Sequence, residues 1–207
     1  MIDNLSKIDV ARHQLGTAIN LFIQDLDSIS VHCLACGGVE IIETLVKQEN
    51  TEPFSTHILE TQPHLDVGKL RRIQRQYWNA FKHMSQKSGA PRDDTELLNA
   101  FDDSKNDAVL FIGWWDYNAL QKRLPIAVQV FQVWFYALNE EKLATGTDLK
   151  PIRSIFGDIA RVNRAEQKRR LKIVVDHYSG DDGLKKHKMT ENLPLSLSAI
   201  LTTTAST

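Results

Sequence analysis

The sequence predicts an all-α protein, a single-domain bundle of five to seven helices with a disordered C-terminal tail. Three observations carry that prediction. Apolar residues recur at steps of three and four along most of the chain, the spacing of one helical face. No stretch alternates apolar and polar residues as a half-buried strand would, and no internal repeat is present. Two stretches, AVLFIGWWDYNAL and PIAVQVFQVWFYAL, are apolar on nearly every side, as core helices are.

The first helix is marked by Ile8, Ala11, Leu15, Ala18, Phe22 and Leu26, with Ser6 and Asp9 spaced as a capping box at its start. DSIS then breaks the chain and caps a second helix whose stripe is Val31, Leu34, Gly38, Ile41 or Ile42, and Leu45. QENTEPFSTHILETQPHLD holds two prolines and no period, which reads as a loop with at most one helical turn. A third long helix runs from Asp66 to Met84, with Val67, Leu70, Ile73, Tyr77, Phe81 and Met84 turned inward. SQKSGAPRDD ends it. Ser104 and Asp107 are placed to cap a fourth, and Leu124-Pro125 opens a fifth, proline costing least in the first helical turn. From Pro151 a helix or helix pair continues to Tyr178, with Ile152, Ile155, Phe156, Ile159 and Val162 facing in. Residues 1–180 are thus assigned to one helical domain. Residues 181–207 read as a polar linker and tail, ending in LPLSLSAILTTTAST, which is free of charge.

Composition bounds the function. A chain of 207 residues buries roughly 70% of its unfolded surface, so it needs no disulfide or metal to fold. A formal net charge of −1 offers no global field for nucleic acid or membrane. No run reaches the ~18 apolar residues of a membrane span, and MIDNLSKIDV lacks a signal-peptide core. Two cysteines without such a signal fit a reducing compartment, and the expected location is cytoplasmic.

Three groups of residues bear chemistry. The first is the polar ladder of the third helix: Arg72, Gln76, Asn79 and His83 stand at steps of four, three and four, with Arg75 and Lys82 beside them. A histidine near a lysine suits general acid–base work, and Arg75, Asn79 and Lys82 supply donors for a phosphate. His83, Asn79, Lys82 and Arg75 are therefore the candidate catalytic set, weighed against a solvated face or a buried histidine bonded to Asp116. The second is RVNRAEQKRRLK, whose Arg169, Arg170 and Lys172, with His177, are the candidate nucleic-acid contacts, weighed against an ordinary solvated helix face. The third is HCLACGG. His32, Cys36 and Glu40 fall on one helical face, so a metal completed by His57, His64 or His83 is one reading and a thiol redox pair another. The plainer reading is a run of small residues that admits a neighbouring helix. On that balance neither a resident metal nor a cofactor is expected.

ARHQLGTAINLF, DSISVHCLACGGVEIIETL and YWNAFKHM resemble a group of short, all-helical bacterial proteins that carry a His-x-Leu-Ala helix followed by an Asn-x-Phe-Lys-His helix. No established activity follows from that resemblance. More distantly, the helical class and the histidine-bearing helix are similar to HEPN domains, many of which are dimeric, metal-independent ribonucleases built on an arginine, four to six spacers and a histidine. Here seven residues separate Arg75 from His83; Arg170 and His177 meet the spacing, with Leu171 where that family carries a polar residue. The expectation is an interaction or oligomerisation module without enzymatic activity, dimerising through its all-apolar fifth helix. A HEPN-like ribonuclease or RNA binder centred on His83 is the alternative, which makes RNA a candidate partner; a metal-binding bundle is the third.

Overall fold

The computed structural model of the chain describes residues 5–86 and 88–196. Six helices of 13 residues or more form the bundle: α1 (Lys7–Ile23), α2 (Ser28–Gln48), α4 (Val67–Lys82), α6 (Lys105–Gln121), α7 (Ile126–Leu138) and α9 (Arg164–Ser179). Shorter pieces join them: α3 (Phe54–Thr61), α5 (Thr95–Asn99), α8 (Lys150–Phe156) and α10 (Asp182–Lys186). Among the described residues there is no strand, only isolated bridges between Ser85 and Pro91 and between Leu124 and Thr190. The all-α class is as the apolar rhythm predicts.

The first two helices start where their caps say. Asp9 N–H donates to Ser6 Oγ at 3.3 Å and Ser6 N–H to the Asp9 carboxylate at 3.0 Å, a complete capping box. Asp27 accepts from Ser30 N–H at 3.1 Å to open α2. Ala11, Leu15, Ala18 and Phe22 are fully buried, but α1 ends at Ile23, which leaves Leu26 outside the helix and 55% exposed. Leu15 nests between two other helices: a Cβ on Gly38 of α2 would lie 2.7 Å from its Cγ, and one on Gly113 of α6 2.7 Å from its Cδ2. The small residues of the cysteine run therefore do admit a neighbouring helix. By length and composition α2 is the one described helix that could cross a membrane; here it packs between α1 and α6.

Two caps fall differently from the sequence reading. The Ser104 side chain makes no cap bond and instead donates to Asp102, while Asp107 turns to Arg164. The loop before α4 contains a full eight-residue helix, α3, whose first N–H (Phe54) is capped from outside by Asp116 at 2.7 Å.

The core is aromatic where α1, α6 and α7 meet. Phe22 and Phe131 pack edge to face at 5.6 Å, and Phe111 stacks on Phe135 at 4.2 Å. No residue of α7 is fully exposed, and Ile126, Val133, Phe135, Tyr136 and Leu138 are half-buried, so the apolar girdle that suggested an oligomer surface is covered only in part within the chain. Its packing partners are chiefly α6, α8 and α9.

The segment after 180 stays on the bundle as far as it is described. Leu124 N–H donates to Met189 O and Glu191 N–H to Leu124 O, both at 3.0 Å. Glu191 pairs with buried Arg12 at 2.5 Å and accepts from Tyr117 Oη at 2.7 Å. The rest of the Arg12 guanidinium donates to Leu193 O and Pro194 O. The charge-free end LPLSLSAILTTTAST, read as a disordered tail, thus begins on the bundle, with Leu193, Pro194 and Leu195 accepting from Arg12, and its residues 197–207 lie outside the described residues.

Candidate functional site

The feature with most chemical content is a pocket of about 370 Å³ between α2, α4 and α6. It exists because α4 packs on α2, α3 and α5 but makes little contact with α6. The same arrangement thins the inward stripe expected of α4. Leu70 and Tyr77 are buried, whereas Ile73 is 48% exposed because it faces the pocket, and Val67 and Met84 are 52% and 91% exposed at the helix ends.

Val39, Ile73, Val109 and Ile112 give the pocket apolar walls, and Tyr77 and Trp78 add ring surface. His32 also lines it. This histidine is 3% exposed, with the rings of Tyr77, Phe81 and Phe101 edge-on to its own at 5.4–5.9 Å. Its Nδ1 lies 2.9 Å from Asn106 Oδ1. The Asn106 amide nitrogen donates to Ser28 O at 3.1 Å, and a carbonyl can only accept, so Asn106 must present its oxygen to the imidazole. His32 therefore carries its proton on Nδ1. Nε2 keeps its lone pair, is buried, and has no protein partner. Burial holds the His32 pKa below the ordinary histidine value, against the Asn106 hydrogen bond, which raises it. The ring is a neutral acceptor at physiological pH.

The rim is charged but internally matched. Arg75 reaches from α4 to Glu40 of α2 at 3.1 Å, Lys47 holds Glu43 at 2.6 Å, and Lys105 lies 3.5 Å from Asp102.

The proposed catalytic set is not gathered in one place. Arg75 lines the pocket; Asn79, Lys82 and His83 do not. His83 is exposed at the C-cap of α4, and its link to Asn79 is a main-chain bond, His83 N–H to Asn79 O at 3.1 Å. Lys82 folds over the Trp78 ring at 3.3 Å. Asp116 bonds to the Phe54 amide rather than to a histidine.

The basic run is likewise spent on neighbours. Arg164 forks between Asp103 and Asp107, both at 2.6 Å, and buried Lys168 sits 3.2 Å over the Phe22 ring and 3.4 Å from Asp103. Arg169 and Arg170 both pair with Glu166, at 2.6 and 2.7 Å, and Lys172 pairs with Asp176 at 2.9 Å. His177 is exposed, its ring 4.9 Å from that of Tyr178.

His32, Cys36 and Glu40 all line the pocket, yet among the described residues no three such side chains are grouped to hold a metal ion. Both cysteines are free. Burial raises both thiols, Cys36 to about 12, so neither is poised as a thiolate nucleophile. Sequence spacing put His32 on the correct face of α2 but gave no sign of Asn106, its partner 74 residues on. Compared with protein-family models, curated proteins and solved structures, the chain finds no match.

Proposed function

We propose that this chain is a non-enzymatic binding module whose working surface is the pocket between α2, α4 and α6. The observation that carries the reading is a half-open, largely apolar cavity between three helices, walled by Val39, Ile73, Val109 and Ile112. A catalytic reading needs a nucleophile, or an acid–base pair within reach of one another. The pocket instead holds a neutral imidazole, a thiol raised to about 12 and carboxylates already matched to cations. The ribonuclease alternative has less support, because Arg169, Arg170 and Lys172 are engaged with carboxylates and His83 stands apart from Arg75's pocket.

The test is a methyl and amide NMR titration of the whole protein with 4-methylanisole, a small neutral aromatic. Shifts should gather on Ile73, Trp78, Val109 and Ile112 and vanish in Ala108→Trp, which fills the pocket from α6. Shifts scattered over the surface, or none, would remove the reading. Cleavage of an RNA pool in EDTA that is lost in His83→Ala would move the working site to the end of α4.

A further inference from the structure

We propose that the outer face of α4 binds single-stranded nucleic acid, held by phosphate contacts to Lys69, Arg71, Arg72 and Lys82 and by a base stacked on Trp78. These cations stand on the solvent side of the helix, so the site does not depend on what occupies the pocket.

The face is written in the sequence of α4, VGKLRRIQRQYWNAFK, which carries five Lys or Arg and no Asp or Glu. Two ladders run side by side at steps of four, three and four: Arg71, Arg75, Trp78 and Lys82, then Arg72, Gln76, Asn79 and His83. Leu70 and Tyr77, on the opposite side, are buried and fix the helix to the bundle. Lys69, Arg71, Arg72 and Lys82 are all exposed.

Their charges are unmatched. Among the described residues, Arg75 alone of the five has carboxylates in ion-pair reach, Glu40 at 3.1 Å and Glu43 at 4.0 Å. The basic run of α9 is the contrast, since Arg164, Arg169, Arg170 and Lys172 each face an acid at 2.6–2.9 Å. On α4, Lys69 and Arg72, Arg71 and Arg75, and Arg72 and Arg75 are like charges three or four positions apart, and such pairs repel across one turn. A polyanion laid along the helix removes that repulsion and releases the counter-ions that mask it.

The class of polyanion follows from length and from the ring. From Lys69 to Lys82 the stripe is about 20 Å long, enough for about six stacked nucleotides. The planar fork of arginine suits phosphate oxygens. Trp78 is half-buried beside the stripe, with Lys82 Nζ 3.3 Å over its ring. A phosphate that draws Lys82 aside frees that face for a base, and every base can stack on it. A lipid surface fits less well, because an interfacial helix inserts its apolar side and that side of α4 is turned into the bundle. An acidic peptide would meet the charges and bring no base to the ring.

The experiment titrates the full chain, in EDTA, into fluorescein-labelled oligo(U) and oligo(dT) of about twelve nucleotides and follows anisotropy. Binding should weaken as KCl rises from about 50 to about 200 mM, with log K falling against log salt at a slope near −3, about −0.7 for each of four contacts. Arg71→Gln combined with Arg72→Gln should lose about tenfold at the lower salt and flatten the slope by about 1.4. Trp78→Leu should lose about tenfold with the slope unchanged, the signature of a stacked base. Arg169→Gln combined with Arg170→Gln should bind as the parent does. A preference for oligo(U) over oligo(dT) would add a 2′-hydroxyl contact to the same site, and equal binding would mean that phosphate and base suffice. No binding of either strand at the lower salt would overturn the proposal, as would a loss confined to the α9 variant. Polyglutamate or phosphatidylserine vesicles binding as tightly as the strands would overturn the assignment to nucleic acid.

Discussion

Asp116 shows how much a single buried residue can set. It is 1% exposed in a nearly all-apolar helix, and the Phe54 N–H that it caps lies 2.7 Å away. Burial pushes its pKa up to about 6, the Phe54 bond pulling against that and Glu43 adding to it. A carboxyl whose folded pKa lies above its unfolded one binds its proton more tightly when folded. Its contribution is therefore most favourable below pH 4 and is lost as pH rises through 6. Asp116→Asn keeps the acceptor for Phe54 and removes the charge. It should stabilise the protein at pH 7.5 by roughly 1–3 kcal/mol, with the advantage fading toward pH 4. Urea melts of both proteins at the two pH values measure this; a variant weaker than the parent at pH 7.5 would show that the carboxylate charge is itself stabilising. The sequence marks Asp116 as a group in need of a partner. It does not supply the partner, because a backbone amide 62 residues away leaves no spacing signature.

At the scale of helices, the apolar rhythm located the first five long elements, since each needs only its own face to be recognised, whereas the inward residues named after Pro151 lie on α8 and the stretch before α9 and none on α9 itself. What it assigned poorly was the depth of each face. Val67 and Ile73 share the α4 stripe with Leu70 and Tyr77, yet burial depends on whether another helix lies opposite, and α4 has little of α6 beside it; Met84, expected on the same stripe, falls beyond the end of the helix. The glycines make the same point on α2. Gly37→Ala meets only the flexible end of Gln14, at 3.2 Å, whereas Gly38→Ala meets Leu15 at 2.7 Å and the Ala11 carbonyl at 3.2 Å. Alanine raises helix propensity equally at both positions, by up to about 1 kcal/mol. Gly37→Ala should therefore be neutral or slightly stabilising, and Gly38→Ala should lose about 1–3 kcal/mol through overpacking. Matched thermal melts decide it, and equal melting temperatures would mean that α1 has room to retreat from α2.

Across the whole molecule, the contacts that close the fold join residues too distant for any pattern in the chain to reveal. Arg12 and Glu191 are 179 positions apart. Polar composition alone separates residues 181–207 from the domain, but Arg12 is only 5% exposed, and most of its hydrogen bonds go to the segment between 191 and 195. Tyr117 Oη spends its proton on the same Glu191, and the α6–α7 turn is tied to that segment through Leu124. A chain ending at 180 would leave a buried guanidinium without its carboxylate and with several donors unmet. Losing one partner of such a pair costs about 3–5 kcal/mol. The chain ending at 180 should accordingly melt well below the full protein, while one ending at 196, which keeps Glu191 and the three carbonyls, should melt close to it. Glu191→Gln separates charge from coverage, since it retains the packing and an acceptor and loses only the ion pair, and it should fall between the two. If the 180 chain melted with the full protein, Arg12 would have to find water or another anion once uncovered. The segment would then be an addition to the bundle and no part of its core.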